Sequence, residues 1–297
     1  MVGTILKALY ALAEAMAILA GLGCLAAGLL AQGGRFNARL DALTHFAPFW
    51  AAGALLVLVF GLTLSTPRLR PWVVGIGGLG LVAAGALIAP ELTRPMSPKA
   101  PPDAPGQIKI IQLNGWESNR DIEGTARWLA AQHADIIVVE EARPPLREAI
   151  RKATGYKMTI ELSKAAIFHH APTVPTAVPL GPPWKTWPSL VRASFEGPHG
   201  PFTVVGVHYV WPTWPLQALQ RQRLAETLDH YERSRLIVVG DFNLTPWSFA
   251  LRRQDARFGL ERRTRAMFTW PAQPFARGRL TSPVAFLPID QVYAGSG

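Results

Sequence analysis

The residues best suited to chemistry lie at positions 236–247, Leu-Ile-Val-Val-Gly-Asp-Phe-Asn-Leu-Thr-Pro-Trp. Leu236-Ile237-Val238-Val239 is an apolar, β-branched run of the kind that forms a strand buried on both faces. It stops at Gly240, and Asp241 and Asn243 follow with one residue between them. In extended backbone, residues two apart project to the same side, so a carboxylate and a carboxamide would leave the strand end together. Thr245-Pro246 then predicts a short helix, with Thr as N-cap and Pro at its first position. Taken alone, the segment fits an Asx turn at a strand–turn–helix junction as well as it fits a catalytic strand end.

Other polar groups stand at further strand ends. Residues 108–113 predict a strand closed by Asn114, and residues 135–139 a buried strand followed by Glu140-Glu141. Residues 202–207 deliver His208, and a strand over 286–293 carries Asp290. Singly, the histidine reads as a structural one and the two glutamates as solvated charges. Together these groups supply oxygen ligands, amide donors and an imidazole, with no thiol. That set suits Mg²⁺ or Mn²⁺ rather than structural zinc. It also suits phosphodiester cleavage, in which a metal polarises a phosphoryl oxygen and fixed donors stabilise the developing charge.

The elements that must position these groups follow from periodicity. Residues 121–131 predict a helix capped by Asn119 or Asp121, residues 146–153 one ended by Gly155, and residues 216–231 one with Leu219, Leu224 and Leu228 on its apolar side. Residues 165–168 read as a short strand and the proline-rich stretch 172–188 as loop. Strands and helices mix without strict alternation, which predicts a layered sandwich rather than a regular parallel barrel.

The first ninety positions have a different character. Hydrophobic residues make up 49% of the 297, and they concentrate in three runs: about 8–31, 46–65 and 72–89. Each is long enough to cross a hydrocarbon core of roughly 30 Å, so three transmembrane helices are predicted. Glu14 is the one ionisable residue within them and reads as structural. The third run is rich in glycine (Gly75, Gly77, Gly78, Gly80, Gly85), which allows close helix packing. Five prolines over 95–106 make a stiff spacer. The expected division is therefore 1–94 membrane domain, 95–106 linker and 107–297 soluble domain. A net charge of +10 favours phosphate-rich partners or an anionic membrane surface. A single cysteine, Cys24, excludes a disulfide framework and a cysteine metal site.

From about residue 108 onward, these segments resemble the endonuclease/exonuclease/phosphatase superfamily, whose fold is that of deoxyribonuclease I. Gly240-Asp241-Phe242-Asn243 with Thr245-Pro246-Trp247 behind it is the most specific part of the match. The three preceding spans make the chain similar to the membrane-anchored bacterial branch. The resemblance implies an α/β (α+β) four-layer sandwich of the deoxyribonuclease-I-like type. It implies that Asn114 binds phosphate and metal, and that Glu141 is a metal ligand, with Glu140 in place of the usual glutamine. His208 would contact the scissile phosphate, Asp241 would orient or deprotonate the attacking water, and Asn243 would hold phosphate or metal. Asp290 matches an aspartate that orients a catalytic histidine. Beyond Asp290 the chain carries no Ser-Asp-His segment, so the family's C-terminal strand and final catalytic segment are expected to be absent.

The function implied is a membrane-anchored, Mg²⁺- or Mn²⁺-dependent phosphoesterase that hydrolyses phosphodiester or phosphomonoester bonds by metal-assisted attack of water. The alternative is a truncated or impaired relative acting as a membrane-tethered binding protein. The implied partners are a phosphodiester substrate (nucleic acid or lipid headgroup) and membrane lipid, with no protein partner evident. The implied location is a multi-pass one in a bacterial inner membrane, with the catalytic domain extracytoplasmic. Late arginines (Arg252, Arg253, Arg257, Arg262, Arg263, Arg265, Arg277, Arg279) offer either phosphate contacts or a solvated basic surface. Trp184, Trp187, Trp211 and Trp214 offer stacking or headgroup contacts.

Overall fold

The computed structural model describes residues 2–101, 103–162, 164–175, 180, 184–198, 200–272 and 281–295. They form two compact units: Met1–Arg94 with Thr245–Arg252, and Pro95–Leu244 with Arg253–Gly297.

In the first unit the three apolar runs are helical. The helices are α1 (Val2–Gln32), α2 (Ala38–Thr44), α3 (Ala47–Thr63) and α4 (Arg70–Leu92). The first and the last are long and apolar enough to cross a membrane, whereas α2 and α3 form a pair bent by 57°, either a broken span or a re-entrant loop. The expected span at 46–65 thus exists only as that pair. On its own α3 has 17 residues, about 25 Å of helix against a core of roughly 30 Å.

Only two of the five glycines in α4 serve close packing. A Cβ on Gly77 would lie 2.7 Å from the Leu58 nitrogen and one on Gly80 3.1 Å from Ala54 Cβ, while Gly75, Gly78 and Gly85 face open space. Positions three apart share a helix face, so the small-residue seam is confined to one side. Glu14 is buried and accepts from the Thr66 backbone nitrogen (2.6 Å) and hydroxyl (2.8 Å). Its structural role is thereby accounted for.

In the second unit, β1 (Ile110–Asn114) runs parallel to β2 (Ile136–Glu140) through α5 (Ile122–Ala131). Asp121 caps α5 by accepting from Gly124 N, and Gly155, in the left-handed region, ends α6 (Pro144–Thr154). With β3 (Lys157–Ile160) and β4 (Ala166–His169) these strands make one sheet, of order β1-β2-β4-β3. A second sheet contains β5 (Thr173–Val174), β6 (Ser189–Phe195) and β7 (Phe202–His208), then β8 (Leu236–Asp241) after α7 (Leu216–Leu228). After α8 (Phe249–Phe258), whose residues up to Arg252 group with the first unit, come β9 (Glu261–Arg262) and β10 (Asp290–Ala294). Its strand order is β5-β6-β7-β8-β10-β9.

Side-chain alternation stacks the layers. Leu129 of α5 and Leu146 and Ile150 of α6 pack on Ile137, Val139 and Phe168. The opposite face of that sheet (Ile136, Val138, Ile167) meets Val191, Val204 and Val239 of the second sheet. Val238 and Tyr293 are buried too. Val238, next to the inward Val239, points outward, and the Tyr293 ring lies 5.2 Å from that of Phe258 on α8. The result is helix, sheet, sheet, helix.

Several elements differ from the sequence expectation. The strand β6 follows directly on the stretch read as loop. It buries Arg192, whose charge is matched by Glu161 (Nε–Oε2 3.0 Å) and by the Tyr231 hydroxyl (3.0 Å). The last strand begins at Asp290 rather than at 286, because Pro288 has no N–H for a ladder; Leu287 forms an isolated bridge with Trp270. The helix predicted to open at Thr245-Pro246 begins instead at Phe249. Ser248, whose hydroxyl accepts from Leu251 N (3.1 Å), replaces Thr245 as its cap. Arg277 and Arg279 lie outside the described residues.

Gly240 has φ near 150°, and a Cβ there would collide with the Val207 carbonyl on the neighbouring strand. Gly240→Ala is expected to lower the Tm of the full-length protein by about 6 °C, from about 3 kcal/mol of overpacking and strain. Calorimetry in detergent checks this.

Candidate active site

Strand register assembles the site. β7 and β10 flank β8, and the pairing sets His208 opposite Asp241 and Asp241 opposite Asp290. Three residues distant in sequence become one row at the end of the six-stranded sheet. With strands about 4.8 Å apart, the row is about 10 Å long. On the facing sheet Asn114 pairs with Glu140, and Glu141 follows at once.

Two amides on β1 join the sheets, and both project from one face because they are two residues apart. Asn114 Nδ2 donates to Asp241 Oδ2 (3.0 Å) and to Glu141 Oε1 (3.3 Å), and its Oδ1 accepts from Trp116 N (3.0 Å). Gln112 Nε2 donates to Glu140 Oε2 and to Asp290 Oδ1, each at 2.8 Å. The second bridge was not foreseen from the sequence, although a polar residue at i−2 from Asn114 on an otherwise apolar strand was the available signal.

Two site residues hold backbone conformations unusual for anything but glycine: Glu141 at φ 51° and Asn243 at φ 50°. Such positions cost roughly 1–2 kcal/mol each and are held by local hydrogen bonds. Glu117 N donates to Glu141 Oε2 (2.6 Å), and Asn243 N donates to Asp241 Oδ1 (2.9 Å). That second bond is an Asx turn, so Asp241 has one oxygen in the turn and the other on Asn114. Asn243 consequently does not continue an extended strand beside Asp241, as the sequence predicted. Its Nδ2 donates to Tyr209 O (2.8 Å), and its Oδ1 is buried with no protein partner.

Burial governs the charges. It lifts Asp241 to about 7, against the bonds from Asn114 and Asn243 N, with Glu141 adding to the rise. It lifts Asp290 to about 7 as well, helped by Asp241 and opposed by Thr269, Gln112 and His208. Glu140 is pushed well above the usual carboxylate range. Its Oε1 is buried without a partner, and protonation avoids an uncompensated charge there. Burial also lowers His208, outweighing the pull of Glu141 and Asp290. Its imidazole is therefore neutral at pH 7, and the 3.8 Å approach of Nε2 to Glu141 Oε1 is a neutral contact rather than an ion pair.

A cleft of about 550 Å³ is lined by Glu141, His208 and Asn243, with Lys164, Trp187 and Trp211 among its other walls. Trp214 also lines it; the Trp184 side chain lies outside the described residues. Nothing in the sequence marked Lys164, which pairs with Glu117. The described late arginines do not line the cleft; Arg257 and Arg262 are bound to Asp229 and Asp255. The adjacent pair Asp229-His230 closes α7, and Asp229 there holds Arg233 (2.8 Å).

Among solved structures, the chain is similar to sphingomyelinase C from Streptomyces griseocarneus, at 17% identity over 65% of this chain and 85% of that one, with a TM-score of 0.49. It is similar also to D. rerio TDP2 complexed with a single-strand DNA product, at 15% identity over 64% and 84%, TM-score 0.48. A beta hairpin deletion mutant of beta toxin from Staphylococcus aureus matches at 11% identity over 64% of this chain and 88% of that one, TM-score 0.49. Comparison with curated protein sequences gives no match. A sequence model of the Endonuclease/Exonuclease/phosphatase family matches residues 111–297. That span is more than half of the chain and contains both polar rows, so the chain belongs to the Endonuclease/Exonuclease/phosphatase family.

Proposed function

We propose that this chain is a membrane-anchored, divalent-metal-dependent phosphoesterase that hydrolyses phosphodiester or phosphomonoester bonds by attack of water. The observation that carries the reading is the cluster in which Asn114 links Glu141 to Asp241, with His208 and Asp290 on the two strands beside Asp241. The apolar helices supply the anchor.

The donor set fits Mg²⁺ or Mn²⁺. One oxygen of Glu141 and one of Asp241 converge on the Asn114 side chain. Mg²⁺ uses one or two carboxylates and fills its remaining positions with water and phosphate oxygens. Among the described residues no three His, Cys, Asp or Glu side chains converge as a metal site. Glu141 and Asp241 would hold the ion, and Asn114 would join them with its amide turned, since its nitrogen faces both carboxylates and its oxygen accepts from Trp116 N. When bound, it polarises a phosphoryl oxygen and offsets developing charge.

The chain's own groups do the rest. Asp241, once ionised, accepts a proton from the attacking water or orients it. His208, neutral at pH 7, donates a hydrogen bond to the scissile phosphate, and Asp290 favours its protonated form as negative charge builds. Asn243 has one amide N–H on Tyr209 O, which leaves its second N–H and its buried amide oxygen for phosphate, water or a cation. Lys164 supplies positive charge, and Trp187, Trp211 and Trp214 an aromatic wall for the group beside the phosphate. A nucleic-acid backbone and a lipid headgroup both meet that description.

Full-length protein in detergent should hydrolyse bis-p-nitrophenyl phosphate with Mg²⁺ or Mn²⁺ and stop in EDTA. Asp241→Asn and Glu141→Gln are each expected to cut the rate about 100-fold or more. Turnover that survives both substitutions sinks the proposal, and a folded protein that binds Mn²⁺ without turnover supports the tethered binding role. A second expectation concerns pH. Asp241 and Asp290 titrate at about 7 in the folded state and at about 3.9 when unfolded. The folded state then holds more protons between those values, so stability falls as pH rises through that interval. In EDTA the Tm should drop between pH 5 and pH 8, by more than in the Asp241→Asn/Asp290→Asn double variant, and Mg²⁺ should recover it at pH 8. An equal pH dependence in the two proteins contradicts the assignment.

A further inference from the structure

The cleft that holds Glu141, His208 and Asn243 carries a second carboxylate, which the proposed hydrolysis does not use. Among the described residues on its walls, Glu117 is the only acid besides Glu141. Its backbone is fixed to the site, because Glu117 N donates to Glu141 Oε2 (2.6 Å). Its side chain is held differently. It forms an ion pair with Lys164 Nζ, and the glutamate and lysine side chains are 51% and 44% exposed. Lys164 is also anchored by its backbone, since its carbonyl accepts from Ala142 N (2.7 Å), one residue past Glu141. It lines the same cleft as His208, close enough for its charge to act on the imidazole. Both charged side chains thus hang from backbone pinned beside Glu141, while the pair itself stays within reach of water.

A carboxylate in a cleft that receives phosphate repels the incoming anion, and here it also occupies a cation placed to receive that anion. A half-exposed pair of this kind is weak, worth no more than about fivefold in an equilibrium constant. A phosphate oxygen on an ammonium group makes a charge-assisted bond of the stronger kind, so it displaces the carboxylate with little loss. Arg143 lies two residues past Glu141, and its N–H donates to Glu141 O (2.9 Å). Its charge also acts on the Glu117 carboxylate, which gives the released acid a second partner.

We propose that Glu117 is a displaceable counterion: it occupies Lys164 in the resting site and yields it to the substrate phosphate, so that Lys164 binds substrate and Glu117 sets the threshold for binding. The consequence for turnover rests on the phosphoesterase reading; the consequence for phosphate binding does not. The test uses full-length protein in detergent with Mg²⁺, as wild type, Glu117→Gln, Lys164→Gln and the double variant. Glu117→Gln keeps the backbone N–H that Glu141 accepts. KM is measured on bis-p-nitrophenyl phosphate, and the Kd of inorganic phosphate by calorimetric titration. For Glu117→Gln both are expected to fall about threefold. For Lys164→Gln both are expected to rise about tenfold. The double variant should match Lys164→Gln, because the acid then has no cation left to block. A pair that only braces the fold leaves KM and Kd of Glu117→Gln unchanged or raised, and that result overturns the proposal. So does a double variant that binds phosphate about threefold more tightly than Lys164→Gln, which reduces Glu117 to simple repulsion. Should wild type show no turnover, the phosphoesterase reading fails, while the order of the Kd values still decides the counterion role. If Lys164→Gln does not fold, the sign of the change in Kd for Glu117→Gln decides it alone.

Discussion

The second unit is arranged around the need to keep acids in a place that water solvates poorly. Glu140, Asp241 and Asp290 all stand where burial raises their pKa. Ionised and unpartnered, such groups would each cost several kcal/mol. Two neutral side chains make the arrangement tolerable. Gln112 and Asn114 lie on one face of β1 and give amide hydrogens to acids on both sheets. An amide donates without adding charge, so it fixes the carboxyl groups while leaving them free to gain or lose a proton. A lysine or arginine at the same place would hold the acids ionised and compete with any cation.

Local strain follows from the same demand. Glu141 and Asn243 take left-handed backbone conformations, each turning the chain sharply just past a buried strand. The turn at Glu141 brings its carboxylate back towards Asn114 and lets Glu117 N close on it. The turn at Asn243 returns the backbone N–H to Asp241. Strand β8 can be fully apolar up to Gly240 because polar function is confined to its last residue and the turn after it.

The first unit shows a comparable economy with polar groups among apolar helices. Glu14 is taken up by Thr66, and Asp41 by the start of α8. In both cases a buried carboxylate accepts from backbone N–H donors. Close contact between helices is carried by Gly77 and Gly80 among the α4 glycines, because helical geometry lets one face meet a neighbour while the others do not.

Much of this protein could be read from local sequence. Strand ends at Asn114, Glu140, His208 and Asp241 and the apolar character of the first ninety residues follow from patterning, since burial on one or both faces leaves its mark within a few positions. Residue types with oxygen donors and no thiol likewise narrowed the chemistry. Where strands lie beside one another is not written locally. The row His208–Asp241–Asp290 exists because β7, β8 and β10 are neighbours in a particular register, and register is a property of pairs. The same holds for Gln112, an unremarkable polar residue until β10 is placed opposite it, and for Lys164, which no motif marks. Thr245 looked like a helix cap because its neighbours had the right types, yet Ser248 and the distant Asp41 do that work. The sequence by itself determined which segments are apolar, where strands stop and which chemical groups stand there. The tertiary structure alone decided which of those groups meet, because hydrogen bonds between residues far apart in the chain depend on packing that no local pattern records.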